Sequence, residues 1–318
     1  MPSLKKRSVL AALASALFSI SAPAQADGLK VVATFSIIAD LAQNVGGERI
    51  TLTTLVGPDQ DAHSYDPRPA DAIAIRQADI ILANGLHLEG FLDRLLQASG
   101  TQARQVELSQ GARLIHTEEE EHGEEHGHDA EPAQHHAHHH HGDHDPHAWQ
   151  SVSNARVYVN NIAKAFCTAD AEGCPTYQEN AASYGRQLDT LEAGIRTALG
   201  GIPEHRRTVI TSHDAFRYLG QAYGLRFLSP QGMSTESEAS AAQLAELIGQ
   251  IRQEQASALF VENISNPKLV EQIARETGAK VGGRLYSDAL SAADGPAATY
   301  IDMMRHNATT IADAIQGD

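Results

Sequence analysis

Hydrophobic and polar positions alternate between two periods along this chain. Apolar, β-rich runs at Lys30–Phe35, Ile50–Val56 and Ile80–Ala83 are separated by stretches whose apolar residues recur every three to four positions, at Ile37–Val45, Ala70–Gln77 and Leu88–Gln97. A short strand is predicted around Gln105–Leu108, and Gly46-Gly47 closes the first helical stretch. The style resumes in the second half, with strands at Thr208–Thr211, Arg226–Ser229, Leu259–Glu262 and Lys280–Leu285. Helices are predicted there from Ser212 through Gly220, over Ala239–Gln255 and Pro267–Thr277, and from Pro296 to Ile315. Strands alternating with helices through short connections predict parallel, helix-covered sheets. The fold class expected is therefore α/β, with two parallel-sheet lobes.

Between the halves the period is helical throughout. Val152–Phe166 forms one run, and Pro175 opens another in which Leu188, Leu191, Ile195 and Leu199 recur at helical spacing until Gly200-Gly201 and Pro203 stop it. A helix of that length spans about 35 Å. It can serve as a rigid spine between the lobes or pack as an ordinary helix of one of them. The expected organisation is a signal peptide over 1–26, an N-terminal lobe over 27–170, a linker helix over 171–204 and a C-terminal lobe over 205–318.

One stretch obeys neither period. From Ile115 to Trp149 the chain runs through Glu118-Glu119-Glu120-Glu121, then His122, His126, His128, His135, His136, His138, His139, His140 and His141, and on to His144 and His147. The segment 116–146 is too polar and too long to pack, so a mobile loop is expected. Imidazoles interleaved with carboxylates favour divalent cations, which makes the histidines from His122 to His144 candidates for weak auxiliary metal sites. An expression tag would sit at a terminus and would not be threaded with acid.

Composition narrows the class further. The net charge of -16 argues against nucleic acid as a partner, since such binding needs a basic footprint. Lys5, Lys6 and Arg7, then the apolar run Val9–Ile20 and Ala24-Gln25-Ala26, have the form of a cleavable secretory signal, so a periplasmic protein is expected. No cysteine follows that cut, so no lipid anchor is expected. Cys167 and Cys174, with six residues between them, are expected to form a disulfide in an oxidising compartment, a metal-binding thiol pair being the alternative.

Outside the histidine-rich stretch five histidines remain. His63 and His213 each stand where a predicted strand gives way to a helix, and His147 stands just before a helix. Ligands of open α/β sheets bind beyond the carboxyl ends of the strands, so these three can converge in a cleft between lobes. Asp288, after the strand ending at Leu285-Tyr286, would complete a tetrahedral set suited to zinc. Glu262 is the alternative fourth ligand. Asp61, Asp66, Asp145 and Asp214 also compete with Asp288, and some of these carboxylates are better read as orienting an imidazole through its other ring nitrogen. His87 is a weaker candidate, and His205 and His306 are read as structural.

Gly57-x5-His63-x-Tyr65-x-Pro67, Asp145-Pro146-His147-x-Trp149, Ser212-His213-x-x-Phe216 and Leu285-Tyr286-Ser287-Asp288-Ala289-Leu290 resemble the motifs of the metal-binding subunits of ABC importers, the cluster A-I family, and within it the zinc-specific ZnuA- and AztC-like members. The resemblance covers nearly all of the chain after residue 26, with the motifs in order. It implies two α/β lobes joined by a rigid helix, one tightly held zinc between His63, His147, His213 and Asp288, and delivery to a permease in the inner membrane. Manganese-binding relatives resemble the chain but carry Glu where His213 stands. A manganese-binding importer subunit is the first alternative, and a periplasmic zinc store or adhesin without a permease the second. A periplasmic zinc chaperone as donor and a monomeric state are further expectations. A zinc hydrolase is disfavoured: there is no H-E-x-x-H, and a fourth protein ligand closes the position a catalytic zinc keeps open.

Overall fold

The computed structural model describes residues 28–117, 142–237, 239–254 and 256–317. Strands β1 (Leu29–Phe35), β2 (Ile50–Val56), β3 (Ile80–Ala83) and β4 (Arg104–Glu107) form one sheet in the order β2-β1-β3-β4. Strands β5 (Thr208–Ile210), β6 (Arg226–Leu228), β7 (Ala258–Glu262) and β8 (Val281–Leu285) repeat that order as β6-β5-β7-β8. Every pairing is parallel. The central strand β3 is buried along its whole length, as its unbroken apolar run Ile-Ile-Leu-Ala requires of a strand covered on both faces. The two α/β lobes expected from the alternation are present.

Helices α1 (Ser36–Gly46), α2 (Pro69–Gln77), α3 (Leu92–Ser99), α4 (Val152–Ala169), α5 (Cys174–Gly200), α6 (Arg217–Tyr223), α7 (Ala241–Glu254), α8 (Pro267–Thr277) and α9 (Tyr300–Gln316) cover the sheets. Three of them start four or five residues later than the periodicity predicts, each for a local reason. Before α3, Leu86 and His87 take left-handed backbone angles (φ 56° and 62°) and Glu89 turns inward to accept from Thr34 Oγ1. Before α6, the amides of Ser212 and His213 donate to Glu262 instead of opening a helix. Before α9, Thr299 caps the helix by accepting from the Asp302 amide.

The 27-residue α5 is about 40 Å long. Its buried face, Tyr177, Ala181, Tyr184, Leu188, Leu191, Ile195 and Leu199, advances every three or four residues. That face meets α1 and α4 of the first lobe and α9 of the second. The main hydrophobic core consequently runs without a break from β1 and α1 through α5 to α9, and a small cluster around Ile210, Leu259, Val270 and Ile273 stands apart under the second sheet. Asp40 of α1 sits at the junction, accepting from the Tyr300 amide at 3.0 Å and the Tyr184 hydroxyl at 3.5 Å. α9 can lie this close to β8 only over glycine: a Cβ on Gly282 would stand 2.5 Å from that of Ala314.

Cys167 and Cys174 are joined across the turn from α4 to α5. The histidine-rich stretch leaves and re-enters the first lobe through a narrow neck. There Thr117 N donates to Asp143 O (3.0 Å), Asp145 N donates to Ile115 O (2.9 Å), and the His116 and His144 rings lie 4.2 Å apart. Residues 118–141 lie outside the described residues, and with them every auxiliary candidate from His122 to His141. The expected signal peptide lies outside them as well. No helix among the described residues is long and apolar enough to cross a membrane.

Candidate metal centre

Four loops at the carboxyl ends of the two sheets meet in the cleft between them. His63 follows β2, His147 leads into a 3-10 turn (Ala148–Gln150), His213 follows β5 and Asp288 follows β8. Crevices of open parallel sheets bind ligands at this end. His147, His213 and Asp288 are fully buried, and His63 is 7% exposed. One ligand atom from each lies within 4.8 Å of all the others.

The three imidazoles present the same nitrogen. His63 Nε2 is 3.3 Å from His147 Nε2 and 3.4 Å from Asp288 Oδ2, while His213 Nε2 is 3.0 Å from Asp288 Oδ2 and His147 Nε2 is 3.7 Å from Asp288 Oδ1. A tetrahedron with metal–ligand bonds of about 2.0–2.1 Å has edges of about 3.3–3.4 Å. These four contacts bracket that value, and with all four ligand atoms within 4.8 Å of one another the cluster has the size a tetrahedral ion requires. Both oxygens and both nitrogens at the heart of the cluster are buried, and neither oxygen of Asp288 nor either ring nitrogen of His213 has a well-formed hydrogen bond.

Carboxylates behind the rings set which nitrogen faces inward. Asp145 Oδ1 accepts from the His147 amide at 2.9 Å and lies 2.8 Å from its Nδ1. A proton held on Nδ1 leaves Nε2 bare for a metal. Glu262, 1% exposed, stands behind His213: its Oε2 lies 2.5 Å from Nδ1 as an ion-pair contact, and its Oε1 accepts from the amides of Ser212 (2.7 Å) and His213 (2.9 Å). Glu262, expected as the alternative fourth ligand, therefore meets the His213 ring at the nitrogen opposite the one that faces Asp288, and it is not among the four residues whose ligand atoms cluster. Asp61 Oδ1 accepts from the His63 amide at 2.9 Å, fixing the loop and not the ring.

Without metal, the cluster shares protons. Burial opposes a charge on His213, but Glu262 and Asp288 beside it push its pKa well above the ordinary histidine value. Burial would likewise raise Asp288, yet His213 and His147 hold its carboxyl well below the usual range.

The other candidates fall elsewhere. His87 packs against Gly142 at the neck, His306 Nε2 lies 3.0 Å from the Arg284 carbonyl, and His205 sits in a 3-10 turn (Glu204–Arg206). Asp214 pairs with Arg217 at 2.5 Å. Sequence reasoning missed two hydrogen bonds that join loops of the two lobes beside the site. Asp59 accepts from Asn263 Nδ2 (3.1 Å), and Thr235 of the second lobe donates to Asp61 Oδ2 (2.5 Å). Neither carries a local signal, because each is a polar loop residue whose partner lies more than 170 positions away.

With this geometry in view, the model of one protein family, described as zinc-uptake complex component A, periplasmic, matches residues 31–314. The chain is 31% identical over 289 residues to the manganese-binding lipoprotein MntA of Halalkalibacterium halodurans, covering 91% of this chain and 89% of the relative. It is 32% identical over 283 residues to the iron-binding protein YfeA of Yersinia pestis, covering 89% and 85%. The solved periplasmic zinc-binding protein TroA of Treponema pallidum superposes with a TM-score of 0.80 at 30% identity, over 91% of this chain and 99% of that one.

Proposed function

Because the chain belongs to the periplasmic zinc-uptake component A family, the metal-binding subunits of ABC transporters and not enzymes, we propose that its cargo is zinc, held by His63, His147, His213 and Asp288. The observation that carries this reading is the donor set. Three imidazole nitrogens and one carboxylate lie within 4.8 Å of one another in a buried cleft. Imidazole suits zinc, whereas carboxylate-rich, higher-coordinate sites suit manganese. Zinc would be captured in the periplasm and passed to a permease in the inner membrane. The histidine-rich stretch would gather it at weak sites and hand it to the cleft, with a zinc chaperone as a further donor and the chain acting as a monomer. Close relatives named for manganese, iron and zinc share the fold, so the fold alone does not choose the metal. A manganese cargo is the second reading, favoured by those names and disfavoured by His213.

The test is metal analysis of the protein isolated from its own periplasm, followed by competition between zinc and manganese for wild type and His213→Glu. One equivalent of zinc that survives excess manganese, with the ratio of affinities moved toward manganese in the variant, is the expected result. Manganese retained by the wild type in the presence of zinc would overturn it.

A further inference from the structure

Each lobe grips the backbone just ahead of the other lobe's ligand. From the first lobe, Trp149 Nε1 (3.0 Å) and Gln150 Nε2 (2.8 Å) both donate to the carbonyl of Ser287, the residue before Asp288. Two donors occupy both lone pairs of that oxygen and so fix its peptide plane. Trp149 is itself held, its carbonyl accepting from the Tyr300 hydroxyl at 2.7 Å. From the second lobe, the Tyr218 hydroxyl accepts from Ile115 N (3.1 Å) and donates to the carbonyl of Asp145 (2.8 Å). It thereby spans both strands of the neck and holds the residue whose carboxylate orients His147. Apart from half-buried Ile115, these groups are buried: Tyr218 is 2% exposed, and Trp149, Gln150, Ser287 and Asp145 are fully enclosed.

We infer that Tyr218 and the Trp149–Gln150 pair are positioning residues that make retention of the metal depend on the docking of the two lobes. The inference rests on the metal-binding reading above. His147 and Asp288 are the ligands gripped in this reciprocal way, one from each lobe. Separation of the lobes breaks both clasps at once and frees the peptides that aim these two ligands, so the site loses two of its four ligands together. A docked pair of lobes, conversely, presents the ligands already aimed. Tyr218→Phe removes one oxygen from one clasp and leaves every metal ligand in place.

The experiment loads the full chain with zinc and follows its removal by excess EDTA in a stopped-flow instrument, for wild type, Tyr218→Phe and Gln150→Met. Loss of a buried hydrogen bond that acts on the bound state predicts release about tenfold faster in each variant. The cobalt(II)-loaded forms supply a readout that bulk destabilisation does not move: the tetrahedral absorption bands of the wild type shift or weaken in the variants. Thermal midpoints of metal-free and metal-loaded protein show whether each variant folds and whether the stabilisation by metal shrinks. Variants that fold and release zinc at the wild-type rate with an unchanged cobalt spectrum overturn the inference, as does a fall in metal-free stability alone. A wild type that holds no zinc or cobalt would fail the metal-binding reading itself.

Discussion

Glu262→Gln tests how much of the affinity lies behind the ligands. The carboxylate is buried, with Oε1 committed to two backbone amides and Oε2 facing His213 Nδ1 at 2.5 Å. Glutamine preserves shape and keeps its carbonyl oxygen for the amides of Ser212 and His213, so the loop stays in place. Its NH2 then faces Nδ1 and must donate, which forces the His213 proton onto Nε2, the atom turned toward Asp288. Metal binding must first undo that tautomer or forfeit the ligand. Replacing such partners costs typically 10–100-fold in metal affinity, about 1.4–2.7 kcal/mol. The assay is competition against a zinc chelator of known affinity at neutral pH, with circular dichroism to establish that the variant folds. Affinity within about threefold of wild type would refute the argument, since Glu262 would then be holding the loop and not the ring.

Asp40, partly exposed at the junction of α1, α5 and α9, has its pKa pushed up to about 6 chiefly by burial. A carboxyl raised in the folded state binds its proton more tightly there than when unfolded. Its contribution to stability is complete below about pH 4 and is lost as pH rises through about 6. Asp40→Asn should therefore flatten the pH dependence of the thermal midpoint between pH 4 and 7 and stabilise the protein at pH 7 by up to about 2 kcal/mol, as read by urea melts. Replacing residues 118–141 by a short glycine-serine linker between Thr117 and Gly142, whose neighbours already pair at the neck, should leave one tight zinc per chain in a calorimetric titration and remove only weaker ones. Loss of the tight site would sink the scavenging role. Small-angle scattering of metal-free and zinc-loaded protein should give superimposable profiles, because one continuous core passes through α5 into both lobes. A large domain rotation on loading would contradict that.

The architecture was legible because its signals are local. Period-2 and period-3.6 runs with glycine and proline stops yield the strands and helices, and Leu188, Leu191, Ile195 and Leu199 mark the buried face of α5. The metal candidates were legible for a different reason: histidines at strand-to-helix turns point to the carboxyl ends of two sheets, where parallel topology brings ligands together. Helix starts were less so. A carboxylate 49 or 50 residues away decides that Ser212 and His213 lie outside α6, and no window around them contains it. Glu262 shows the same limit from the other side. Its place at the end of β7 signals proximity to the site, but whether it ligates metal or orients His213 depends on which ring nitrogen it meets.

The choice of metal also becomes a property of pairs and not of single ligands. His213 is wedged between two carboxylates, Glu262 on Nδ1 and Asp288 on Nε2, and its imidazole is what keeps them apart. A glutamate at 213 would bring a third carboxylate into that line, with Glu262 buried and already fixed by two amides. Without metal such a group must take up a proton, because like charges at that range cannot all be ionised. His213→Glu alone is thus expected to lower the affinity for every divalent ion while moving the ratio toward manganese. A full exchange of preference calls for a neutral partner at 262 as well, such as Glu262→Gln, whose NH2 would now find an acceptor where in the wild-type setting it finds a competitor for the proton. On the proposed metal-binding reading, the residue at 262 is therefore expected to weigh on the choice of cargo as much as the residue at 213, although only residue 213 turns a ring nitrogen toward Asp288.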